Sequence, residues 1–112
     1  MHELAVCESI VSAVRLHAEG RPVRAIHLRI GTLRQIVPDT LSFCWSMVTE
    51  GSDLADSRLL VERIEGRIRC RHCRGERVLD DYVFACDHCG GVDVEVVAGE
   101  EFLITALELT EV

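Results

Sequence analysis

Residues 66–91 read GRIRCRHCRGERVLDDYVFACDHCGG, and the four cysteines in this stretch decide how the rest of the chain must be arranged. Cys70 and Cys73 form one Cys-x-x-Cys pair, Cys86 and Cys89 a second, with twelve residues between the pairs. Each pair can turn two sulfurs toward one ion, and two such turns close a tetrahedral site, the spacing of a zinc ribbon. Zn(II) is favoured; spacing alone leaves a rubredoxin-like iron open. A module of roughly 30 residues cannot hold itself together by burial, so a bound metal would supply its folding free energy. Gly75, Gly90 and Gly91 follow the two turns, where positive φ is expected. His72 and His88 lie inside the turns and read as exposed or supporting residues rather than ligands, although either could replace a thiolate if the site rearranged.

Outward from the cysteines, the chain switches between helical and strand periods. Residues 3–19 read as a helix with Leu4, Cys7, Val11, Val14 and Ala18 on its apolar face, stopped by Gly20 and Pro22. Val23 to Ile30 alternates, with Ile26, Leu28 and Ile30 on the buried face. Pro38-Asp39-Thr40 opens a second helix, with Asp39 or its neighbour as N-cap and Leu41, Cys44, Trp45 and Val48 as its stripe. Arg58 to Arg69 reads as one strand running into Cys70. Phe102 to Leu109 is a last strand, apolar on both faces at its start, which suggests a central place in a sheet. A lone strand after a metal knuckle has nothing to pair with, so it must return to the first part of the chain. The expected fold is mixed α/β (α+β): two helices packed on a small sheet of about three strands, with an inserted four-cysteine zinc ribbon. The expected domains are residues 1–65 together with 100–112, and the ribbon at 66–99.

The chain has 112 residues, 48% hydrophobic and 28% charged, which excludes wholesale disorder. No apolar run reaches the ~18 residues of a membrane span. The Met-His-Glu opening is not a signal peptide, so the expected location is the cytoplasm. All 12 basic residues are arginine, which excludes a P-loop lysine and Schiff-base chemistry. No nucleophile motif and no glycine-rich phosphate loop is present, so an enzyme is not expected. The net charge is −7. Within the ribbon, five arginines are outweighed by four acids plus the negative charge of a zinc tetrathiolate, a poor footprint for nucleic acid. Cys7 and Cys44, each in an apolar helical stripe, read as buried small hydrophobes.

At the N-terminus, Met1, His2 and Glu3 place an α-amine, backbone amides and an imidazole within a few bonds. The amine titrates near pH ~8, so it can be a ligand at neutral pH. A nitrogen-rich chelate of this kind suits square-planar nickel or copper rather than tetrahedral zinc.

The Met1-His2-Glu3-Leu4 opening, the helix behind it, the Cys-x2-Cys-x12-Cys-x2-Cys ribbon and the closing stretch from Gly99 to Leu109 together resemble the HypA/HybF family of hydrogenase maturation. The resemblance covers essentially the whole chain. It implies a nickel metallochaperone with two metal sites. Ni(II), a transient cargo, would bind through Met1, His2 and Glu3, with Asp39 as a weaker candidate. Zn(II), a structural ion, would bind Cys70, Cys73, Cys86 and Cys89. The implied partners are a nickel-handling GTPase of the HypB type and the hydrogenase large subunit, with no nucleic acid and no membrane; monomer and dimer both stay open. Some members carry histidines outside the knuckles that make the zinc site respond to pH, whereas His72 and His88 here lie inside them. The rival readings are a zinc-ribbon adaptor for protein or nucleic acid without a second metal, and an iron-bearing redox module.

Overall fold

The computed structural model describes residues 3–110. Two helices and six strands follow in the order α1 (Glu3–Ala18), β1 (Val23–Gly31), a 3-10 turn (Thr32–Arg34), α2 (Pro38–Thr49), β2 (Arg58–Ile64), β3 (Gly66–Cys70), β4 (Glu76–Leu79), β5 (Val94–Ala98) and β6 (Phe102–Leu109). The strands form two three-stranded sheets, β2-β1-β6 and β4-β3-β5. The chain divides into two compact units. One runs to Arg29 and takes in Ile36–Glu62 and the chain from Leu103; the other comprises Ile30–Gln35 and Arg63–Phe102. No described helix is long and apolar enough to cross a membrane.

In the first unit the helices bury narrow rows. α1 buries Cys7, Ile10, Val14 and Ala18, so Ile10 takes the place the sequence pattern gave to Leu4 and Val11. Leu4 is exposed and Val11 half-buried. α2 buries Leu41, Trp45 and Thr49, a strict four-residue row that leaves Cys44 and Val48 on its flank. Thr49 is polar but satisfied, its hydroxyl donating to the Trp45 carbonyl at 2.7 Å. The Trp45 indole N–H donates to Ser57 Oγ at 3.0 Å, and Ser57 donates onward to the Leu54 carbonyl. Buried polar groups are thus paired, as burial requires.

Three expectations for the elements are corrected. The N-cap of α2 is Val37, with extended backbone and no side-chain capping bond; Pro38 and Asp39 follow it inside the first turn. Proline is well suited there, because an N1 residue has no helical use for an N–H. The stretch Arg58 to Arg69 is two strands in two different sheets, broken at Glu65. The last strand does return to the first part of the chain, with the Thr110 N–H donating to the Pro22 carbonyl at 3.0 Å, but it lies at an edge and β1 is central. None of its residues is fully buried, and Leu103 is 49% exposed.

The second unit is built on β3, which pairs antiparallel with β4 and β5 and buries Ile68. Arg69 faces Glu76 on one side and Glu95 on the other in this register, and the three form a surface ion-pair ladder. Such exposed pairs favour register more than they add stability. The short strands β4 and β5 were not legible in the sequence as separate elements. Three glycines, Gly31, Gly66 and Gly99, let three backbone segments cross here: a Cβ on Gly99 would stand 2.5 Å from the Cα of Gly66.

Candidate metal centre

The β3 strand ends at Cys70, and the chain turns at once into the first knuckle. The Cys70 N–H donates to the Gly75 carbonyl at 2.8 Å, and the Arg74 N–H donates to the Cys70 carbonyl at 3.0 Å. The second knuckle repeats this pattern residue for residue. The Cys86 N–H donates to the Gly91 carbonyl at 2.8 Å, and the Gly90 N–H donates to the Cys86 carbonyl at 2.9 Å. Equivalent positions therefore hold the same left-handed backbone, at Arg74 (φ 67°) and Gly90 (φ 74°). Of Gly75, Gly90 and Gly91, only Gly90 has positive φ, so the expectation is corrected for Gly91 and, in the first knuckle, for Gly75. The strained position in that knuckle belongs to Arg74, and Gly75 is small for another reason: a Cβ there would lie 2.5 Å from Cδ2 of His88. His88 and His72 are both exposed.

The two knuckles bring the four sulfurs together. Cys70, Cys73, Cys86 and Cys89 offer ligand atoms all within 4.8 Å of one another. Cys70 Sγ is 3.7 Å from Cys89 Sγ, and Cys73 Sγ is 3.5 Å from Cys86 Sγ. A tetrahedron with zinc–sulfur bonds of about 2.3 Å has an edge of about 3.8 Å. The donor set therefore fits a closed tetrathiolate site with no position left for substrate. The first cysteine of each pair is buried and the second exposed.

Backbone amides prepare the first thiolate of each pair, while the second cysteines, Cys73 and Cys89, are shifted up. The Cys73 N–H points at Cys70 Sγ, and the His88 N–H at Cys86 Sγ, both at 3.4 Å. Cys70 is drawn down to about 6, first by the N–H of Cys73 and next by that of His72. Cys86 is lowered by the equivalent pair, Cys89 and His88. A metal needs the deprotonated sulfur, so these donors favour the binding-competent form.

A side chain that sequence reasoning missed shapes the rest of this unit. Arg77 lays its guanidinium under the loop between the two knuckles. It donates to the carbonyls of Ala85 (2.9 Å), Val78 and Val83 and to the Asp81 carboxylate. Nothing in the local sequence distinguishes Arg77 from the other ribbon arginines; its role exists only once the loop has folded back.

The other candidates lie in the first unit. Met1 and His2 fall outside the described residues. Glu3 begins α1, and its carboxylate accepts the Val37 N–H at 3.3 Å. Asp39 is exposed in the first turn of α2. Cys7 is fully buried, with its thiol directed at the Leu41 carbonyl (3.5 Å), and burial pushes it up to about 11. Cys44 is half-buried rather than part of the core. Neither belongs to the four-sulfur cluster.

Comparison with known proteins extends this picture to the whole chain. Residues 1–109 match the family model HypA, described as hydrogenase/urease nickel incorporation, metallochaperone. The chain belongs to the HypA family. It is 40% identical to the hydrogenase maturation factor HypA of Geotalea uraniireducens, over 97% of this chain and 99% of that protein. It is 39% identical to that of Nostoc punctiforme, over 99% and 97%. The fold is shared with the solution structure of the Ni metallochaperone HypA from Helicobacter pylori, at a TM-score of 0.68 and 19% identity, covering 97% of each chain.

Proposed function

We propose that this chain binds Ni(II) at its N-terminus as cargo and delivers it during maturation of a [NiFe]-hydrogenase, with zinc as a structural ion in the four-cysteine module. The observation that carries the reading is the family match, which runs from residue 1 and so includes the Met1-His2-Glu3 opening. The α-amine of Met1, backbone amides and the His2 imidazole are the proposed nickel ligands. Glu3 contributes at least its backbone amide, and Asp39 is the weaker, additional candidate. Deprotonated amides and an imidazole form short chelate rings that favour a square-planar ion.

The zinc would be held by Cys70, Cys73, Cys86 and Cys89. It supplies folding free energy to a unit whose fully buried side chains are few, and with four sulfurs and no open position it has no catalytic role. The division proposed for these tasks is a nickel-binding part, residues 1–65 with 100–112, and a ribbon, residues 66–99. A chain with no phosphate-binding loop needs a separate source of nucleotide-driven switching. The proposed partners are therefore a nickel-handling GTPase of the HypB type and the hydrogenase large subunit. The chain itself acts as a carrier, not an enzyme.

The test is a nickel titration of the untagged protein, a form extended by two residues at its N-terminus, and His2→Ala, with zinc measured in parallel. An extension converts the amine into an amide, which has no lone pair to offer at neutral pH. Both variants should lose the d–d spectrum of square-planar nickel and keep their zinc. An extended protein that binds nickel with unchanged affinity and spectrum overturns the terminal site.

A further inference from the structure

Helix α2 starts in an unusual way. Its N-cap, Val37, has no side chain that can accept a hydrogen bond, and its first helical residue, Pro38, has no N–H. In a capping box, the residue at N3 is Glu or Gln, and its side chain reaches back to the N–H of the N-cap residue. Here N3 is Thr40, too short for that reach. The missing acceptor comes from the other helix: the Glu3 carboxylate takes the Val37 N–H at 3.3 Å. Ile36 and Leu41, at the two positions of a hydrophobic staple, are both buried and anchor the same turn from below.

This contact is more than a cap, because of what lies next to each end. Glu3 follows directly on Met1 and His2, and Asp39 stands two residues beyond Val37. α1 and α2 run side by side from this point, with Cys7 Sγ directed at the Leu41 carbonyl one turn further along. The heads of the two helices thus meet at the Glu3–Val37 contact.

We infer that the Glu3 carboxylate is a positioning residue that ties the N-terminal chelate to the head of α2 through the Val37 N–H, and is not itself a nickel ligand. The inference rests on the terminal nickel site proposed above and assigns the side chain of residue 3 a task within it. A free N-terminal tripeptide must be ordered to wrap an ion, and ordering a residue costs about 1–2 kcal/mol. Fixing residue 3 to a helix head removes part of that cost before the metal arrives. The same contact sets Glu3 at the turn that carries Asp39.

Two substitutions separate this role from the alternatives. Glu3→Gln keeps an oxygen that can accept the Val37 N–H but is a poor ligand for nickel. Glu3→Ala removes the acceptor. The measurements are nickel affinity and d–d spectrum in ~0.15 M salt, where longer-range charge effects are screened, and amide exchange of Val37 by NMR in the protein without nickel. Glu3→Ala should weaken nickel binding roughly 3- to 10-fold, the effect of one lost hydrogen bond. It should leave the spectrum unchanged and speed Val37 exchange. Glu3→Gln should restore both affinity and exchange. Equal weakening in both variants with an altered spectrum makes the carboxylate a ligand and overturns the inference. Wild-type affinity and wild-type Val37 exchange in Glu3→Ala overturn it as well. Failure of the terminal site itself appears separately, as nickel binding that survives the N-terminal extension.

Discussion

Gly31→Ala tests the backbone crossing on which the second unit is assembled. Gly31 has ordinary extended backbone (φ −75°, ψ 144°), so alanine meets no conformational penalty there. Space is the obstacle. A Cβ would fall on the carbonyl group of Gly99 and come within 2.6 Å of the Glu100 nitrogen. These are backbone atoms and cannot swing aside as a side-chain tip can. To make room, the segment must retreat, and the bonds that pin it are Gly31 N–H to the Glu101 carbonyl at 2.8 Å and Leu33 N–H to the Gly99 carbonyl at 2.9 Å. Losing two such bonds costs about 1–3 kcal/mol, and overpacking adds about 1–3 kcal/mol. The expected loss is therefore about 4 kcal/mol, a large part of the ~5–15 kcal/mol that holds a domain folded. The control is Gly20→Ala, where φ is 81° but nothing lies within 4 Å of a new Cβ; left-handed strain alone costs about 1–2 kcal/mol. In urea unfolding of the zinc-loaded protein, with a slope of about 1–3 kcal/mol/M, Gly31→Ala should lower the midpoint by about 2 M. A midpoint for Gly31→Ala no lower than that of Gly20→Ala refutes the steric reasoning.

Cys86→Ala should abolish zinc retention, because three sulfurs cannot close the site, and it should expose the amides of β3 and β5 to exchange while those of α1 and α2 stay protected; full zinc content after gel filtration contradicts this. Cys7→Ala should cost on the order of 1–2 kcal/mol through a small buried void, and Cys44→Ala less, with zinc and nickel stoichiometry unchanged in both. Cys7 should resist alkylation at pH 8 in the folded protein, since burial holds its thiol near 11; rapid labelling there contradicts the burial. Glu108 is held below the ordinary 4.5 by hydrogen bonds from His27 (2.7 Å) and then Arg24 (2.8 Å). A depressed carboxylate contributes stability above its unfolded value and loses it as pH falls. The thermal-stability advantage of the wild type over Glu108→Gln should therefore shrink below pH ~4.5, and a gap that widens in acid rules the linkage out.

The four-cysteine cluster was legible because its information is local. Two Cys-x-x-Cys turns carry their own geometry, and the sulfurs meet wherever two such turns face each other. The helices and the first strand were legible from period for the same reason: each face repeats within a dozen residues; the return of the last strand followed instead from its need for a pairing partner. The opening Met1-His2-Glu3 drew its meaning from resemblance to a family, since a tripeptide of this kind carries little signal alone.

What the sequence left undecided depends on neighbours distant along the chain. Phe102–Leu109 is apolar enough for a central strand, yet it lies at an edge, because strand order is set by which partner reaches β1 and not by composition. Arg58–Arg69 has one continuous strand pattern, yet it breaks at Glu65 into strands of two different sheets, and Gly66 just after the break lies against the Gly99 backbone. Gly75 looks like a turn glycine and is instead the floor under His88, while Arg74 takes the left-handed position. The acceptor for the head of α2 sits 34 residues earlier in the chain, at Glu3. Local periodicity and ligand spacing are properties of short segments, and the sequence holds them in full. Strand order, close backbone approach and the contact between helix heads are set by packing, and the tertiary structure alone decides them.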